Sequence, residues 1–190
     1  MSLASAPCDT DIVTSAQATQ LQAWVGGSSS PHAWTEVYRG SRDGFTPTAF
    51  HTRCDEKPRL LIVAKDKDAG WLFGGFTAVG FLKAGGDRLY ADPAAFVFSL
   101  TNPAGRPERL ASTGDGKEIY YLSSHLVRFG WNDDLAIKDG CASDKSSVSD
   151  KSFTGPGHSF ASPSVTGTHP MAKGQVYISL AELVAWIVPR

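Results

Sequence analysis

Apolar positions along the chain fall in short runs separated by glycine- and proline-rich turns, and most of these runs read as β. Leu60-Leu61-Ile62-Val63-Ala64 is continuously apolar, the pattern of a strand buried on both faces. Trp71-Leu72-Phe73-Gly74-Gly75-Phe76-Thr77 follows across a turn at 66–70 and predicts its hairpin partner. Paired glycines inside a strand mark a bulge or a close backbone approach. Residues 34–39, 94–100 and 118–122 predict further strands, and 176–188 one or two more. Two helices are signalled among them. Ala16, Leu21, Trp24 and Val25 follow helical spacing between a Thr14–Gln17 capping box and Gly26-Gly27. Thr46 reads as the N-cap of the second, with Pro47 at the first helical position and Phe45 spaced from Phe50 as a hydrophobic staple. Before it, residues 39–44 form a turn in which Gly44 is free to take positive φ.

The first ten residues read as a disordered lead, and residues 11–190 as a single domain with a long irregular loop near 140–170. Charge removes several function classes. Lys plus Arg number 18 and Asp plus Glu 19, a net charge of -1, so the chain has no basic field for nucleic acid or for a polybasic membrane anchor. No apolar run approaches transmembrane length, and the first residues lack a secretory signal, which points to a reducing, cytoplasmic location. Three cysteines, Cys8, Cys54 and Cys141, form no Cys-x-x-Cys, which excludes a zinc ribbon or a disulfide scaffold.

Dinucleotide, nucleotide and α/β-hydrolase fingerprints are missing, and the five histidines never make His-Glu-x-x-His. Asp66-x-Asp68-x-Gly70 opens like a calcium loop, but Thr77 stands where a bidentate Glu is needed. Asp133 and Asp134, with Asp139 nearby, are the densest acidic cluster, read either as a hard-cation site or as a solvated turn. Cys54 shares a helix with Phe50 and fits a buried, inert thiol better than a redox centre. Cys141 sits in a polar loop near Lys138 and Lys145, where a thiolate is mildly favoured. Glu182 interrupts an apolar strand, as a buried general-base candidate or an edge residue facing water. Arg42 and Asp43 offer a charged pair to a partner, or keep the turn solvated.

The order of these pieces resembles the TLDc domain. Tyr38-Arg39-Gly40-Ser41-Arg42-Asp43-Gly44-Phe45, then Ala49-Phe50-His51 and Cys54-Asp55, look like its opening signature. Phe73-Gly74-Gly75-Phe76-Thr77, the run from Asp92 to Asn102, Phe129-Gly130, Asp134-Leu135, Cys141 and Glu182-Leu183-x-x-Trp186 continue it in order. Four positions depart: Asp133 replaces a histidine, Gly140 and Ala142 the two asparagines of an Asn-Cys-Asn, and Val184 the second of two alternating glutamates. The resemblance implies a mainly β fold, a two-sheet antiparallel β-sandwich flanked by a few short helices. It also implies a protein-interaction module without a cofactor, tied to oxidative-stress resistance and, in some members, to the vacuolar proton-pumping ATPase. A thiol-dependent antioxidant enzyme and a calcium-responsive module are the alternatives.

Overall fold

The computed structural model describes residues 12–27, 31–83, 86–143, 148–149, 159–161 and 178–190. The leading residues, and most of the loop expected near 140–170, lie outside them. Helix α1 (Ser15–Val25) opens on the expected capping box, Thr14 and Gln17 each satisfying the other's backbone amide. Its buried face is Leu21 and Val25; Ala16 is exposed, and Ile12 and Val13 take the place expected for it.

Eleven strands make two antiparallel sheets among the described residues. They are β1 (Thr35–Arg39), β2 (Leu60–Asp66), β3 (Leu72–Thr77), β4 (Arg88–Tyr90), β5 (Phe96–Ser99), β6 (Glu108–Ala111), β7 (Ile119–Tyr121), β8 (His125–Phe129), β9 (Leu135–Lys138), β10 (Val148–Ser149) and β11 (Leu180–Ile187). The first sheet runs β1-β11-β2-β3-β5-β6 and the second β10-β9-β8-β7-β4. Where one or two strands were expected over 176–188, the described residues from 178 onward give one, and it runs through the interior of the sheet.

The continuous apolar run has a direct cause. Leu60, Ile62 and Ala64 face the second sheet and pack with Phe129, Leu126 and Ile137. Leu61 and Val63 face the other way, into a layer closed by α1, Trp34 and Trp186. A sheet covered on both sides has no polar face, so alternation vanishes. The glycine pair reports close approach, with no register shift at β3. A Cβ on Gly74 would stand 2.0 Å from the Ile62 carbonyl oxygen, and one on Gly75 2.6 Å from the Phe129 ring. Phe73 and Phe76 are buried on opposite faces of that strand.

Two short helices connect β1 to β2. The expected turn at 39–44 tightens into a single helical turn, α2 (Gly40–Asp43), ended by Gly44 at φ 96°. Helix α3 (Pro47–Cys54) begins as expected, the Thr46 hydroxyl accepting from the Ala49 amide. The Phe45 ring lies over Gly40, where an added Cβ would be 2.3 Å from it.

Candidate functional site

Strand β1, helix α2 and strand β11 bring together most of the charged residues singled out in the sequence. Asp43 is the hub. Its carboxylate accepts from the Arg39 amide at 3.0 Å, from Arg42 Nε and Nη2 at 3.0 and 2.7 Å, and lies 3.1 Å from Arg53 Nη2. Arg42 extends a second hand to Glu36, 2.6 Å away, and Glu36 also holds Arg39 at 2.7 Å. The bidentate bond from Arg42 holds the Asp43 carboxyl down at about 2, against the opposing pull of burial. The side chain of Asp43 is 3 % exposed whereas those of Arg42 and Arg53 are 50 % and 48 % exposed. A solvated turn does not describe this. The carboxylate is enclosed, and two guanidinium groups stand at the surface on a fixed base.

Glu182 belongs to the same network. It is not on an edge, because β11 runs between β1 and β2. Its carboxylate accepts from the Ser41 amide and the Leu183 amide, each at 3.0 Å, and from the Ser41 hydroxyl. Arg39 Nη1 stands 3.6 Å away. Backbone and hydroxyl donors fill the oxygens, so Glu182 tethers α2 to the sheet and offers no free base.

The two described cysteines are both fully buried. Cys54 closes α3, and burial, with Asp55 adding to it, raises its thiol far above the ordinary range. Cys141 overturns its expected setting. It lies in a turn after β9, but its side chain enters the core, and burial pushes its thiol up to about 12.

The acidic cluster disperses. Asp133, at φ 57°, turns to Arg128 at 2.7 Å. Asp134 points inward, fully buried, and accepts from the Ser159 amide at 3.1 Å. Asp139 accepts from the next amide in its own exposed turn. Among the described residues no group of three acidic, histidine or cysteine side chains is arranged for a metal. The solvated-turn reading fails too, since Asp134 anchors the segment at 159.

One constellation escaped the sequence reading. His51 Nδ1 is 2.6 Å from Asp55 Oδ1, and Nε2 is 2.8 Å from the His125 carbonyl oxygen. The Tyr121 hydroxyl donates to Asp55 at 3.3 Å, and its ring lies 4.8 Å from the imidazole. Burial lowers the His51 pKa, but the Asp55 hydrogen bond and charge, with the His125 carbonyl, outweigh it and leave the value raised. The group lines a cleft of about 550 Å³ with Thr48, Thr52, Lys83 and Ser123. A histidine four residues before an aspartate at a helix end was the available signal. A second cleft, about 630 Å³, lies beside Asp43 and Arg53 and includes Thr46, Ala49 and Lys57.

The chain is thus a two-sheet antiparallel sandwich with a charged corner and buried thiols. The TLDc domain model matches residues 8–177, and the chain belongs to the TLDc domain family, commonly linked to resistance against oxidative stress. No curated protein matches the chain. Among the described residues no helix is long and apolar enough to cross a membrane.

Proposed function

We propose that this chain is a non-enzymatic TLDc module that supports oxidative-stress resistance by binding a protein partner at its charged corner. The observation that carries the reading is Arg42, half exposed yet fixed by two carboxylates, Asp43 and Glu36. An arginine already ordered in the free protein loses little rotamer freedom on binding, which favours it as a contact residue. Arg53 stands on the same carboxylate, at the edge of the second cleft. The surface thus suits a partner that brings carboxylates. Family membership makes the vacuolar proton-pumping ATPase the first partner to test, and a cytoplasmic location is part of the same proposal.

The test is binding of the purified domain to purified subunits of that ATPase, comparing wild type with Arg42→Glu and Arg53→Glu. The reading expects each reversal of charge to weaken binding about tenfold or more, with unchanged circular dichroism. Binding unaffected by either substitution would move the interface elsewhere. No binding by the wild type would remove this partner.

A further inference from the structure

The His51 ring faces an oxygen at each of its nitrogens, the setting of a doubly protonated ring. A carbonyl oxygen can only accept, so Nε2 must carry a proton to bond His125 O at 2.8 Å. An ionised carboxylate can only accept, so Nδ1 must carry one to bond Asp55 at 2.6 Å. The ring is therefore an imidazolium. Only one of its two bonds leaves the helix: Asp55 caps α3, the helix that carries His51, while His125 is the first residue of β8 in the second sheet.

We propose that His51 is a pH-released latch that holds helix α3 to the second sheet while doubly protonated and lets go when it loses a proton. A neutral imidazole has one N–H, and the carboxylate is the stronger acceptor, so the proton stays on Nδ1 toward Asp55; bare Nε2 is then set against the His125 carbonyl lone pair and the bond to the sheet fails. On its own element the ring faces Asp55 and the edge of Phe50; from β7 it faces Tyr121, and from the segment before β4 the edge of Phe81. Glu56 and Lys83 line the adjoining cleft.

Other titrating groups at the contact act in different ranges. The His125 ring is lowered to about 4 by burial and then by Arg128 and Lys138, so it is neutral where the latch works. Tyr121 is raised by burial and by Asp55, and Cys54 likewise. The position of His51 in the last turn of α3 adds the helix dipole to the preference for a cation. Because the folded ring holds its proton more tightly than a free one, the latch is complete below the ordinary imidazole value. It is lost as pH rises through the higher folded value.

The experiment uses the whole chain. Nitrogen-15 shifts of the His51 ring, followed against pH, report the proton on each nitrogen directly. Amide exchange across 48–55 and at 125, corrected for the intrinsic base-catalysed rate, reports the latch. Both ring nitrogens should be protonated at neutral pH, with a midpoint above that of free imidazole. Protection in α3 should fall about tenfold or more across that midpoint, the size set by losing one charge-assisted hydrogen bond. Asp55→Asn should move the midpoint downward, and His51→Gln should abolish the pH step. A ring singly protonated at neutral pH would overturn the proposal. So would an equal step in wild type and His51→Gln. The ring titration in the wild type decides the matter even where a variant does not fold.

Discussion

Residue by residue, the chain depends on a few positions where geometry leaves no choice. Gly74 is the clearest: its missing side chain makes room for the Ile62 carbonyl of the neighbouring strand. A backbone atom inside a central sheet cannot step aside, so Gly74→Ala should cost about 3 kcal/mol by overpacking. Gly70 is a control, since an added Cβ there meets nothing within 4 Å and the strain comes from φ +71° alone. Urea unfolding should therefore rank Gly74→Ala well below Gly70→Ala, and equal midpoints would contradict the close-approach account. The thiols give a second residue-scale prediction. Cys54 and Cys141 are fully buried and raised in pKa, so the thiolate that reacts with peroxide is scarce at neutral pH. Sulfenic acid at either residue should form no faster than at a free thiol. Fast reaction, abolished by Cys54→Ser or Cys141→Ser, would promote an antioxidant enzyme over a binding module.

At the scale of elements, α2 and the strands beside it are joined by charge more than by apolar packing, and acid should show it. Asp43 sits at about 2, below its ordinary value, because Arg42 donates to it twice and the Arg39 amide once more. A depressed carboxyl contributes stability above the ordinary aspartate range, and that stability drains away as pH falls toward 2. Urea midpoints taken between pH 5 and 2.5 should drop more steeply in wild type than in Asp43→Asn; parallel curves would show that Asp43 is not the acid-sensitive link. Which elements could be read from sequence follows from the same physics. Strands β2 and β3 and both long helices were legible, because burial on two faces and capping residues are written locally. Strands β4, β6, β8, β9 and β10 were not read, and β10 falls inside the stretch expected as an irregular loop. Glu108 and Arg109 are charged, and only Leu110 of β6 is buried at the edge of its sheet, while Arg128 interrupts β8 with a cation over the Tyr120 ring. Arg42, Asp43 and Glu182 were legible as chemistry but not as one network, since Ser41 and Glu182 lie 141 residues apart. His51 and Asp55 were visible as parts of the opening signature but not as a site, because the His125 carbonyl that gives His51 meaning is a tertiary partner.

The whole molecule is a three-layer object, in which the second sheet covers one face of the first and α1 covers the other. The outer layer has its own apolar contents: Leu72, Phe76, Phe96, Phe98, Val184 and Trp186 from the sheet, met by Ile12, Val13, Leu21 and Val25. Trp34 bridges them, its ring 5.9 Å from that of Trp186 and its N–H donating to Gln22 at 2.8 Å. The charged corner and the His51 latch both lie on elements of the first sheet or packed against it, so both rely on that layer being closed. Removing residues 1–27 would uncover the sheet's outer face. The four side chains lost with the segment are together worth roughly 6 kcal/mol or more, at about 1.5–3 kcal/mol for each buried side chain. A domain has about 5–15 kcal/mol in total, so the truncated chain should be marginal at best. It should keep its far-ultraviolet β signal, lose near-ultraviolet structure and bind a hydrophobic dye, the behaviour of an open sandwich with fluctuating packing. Point replacement at the same interface separates packing from mere length: Leu21→Ala alone should lower stability by about 2–5 kcal/mol while leaving partner binding through Arg42 measurable below the new melting point. A truncated chain that melts as cooperatively as the parent, and at the same temperature, would show that α1 only rests on the sheet and that the charged corner is held by the two sheets alone.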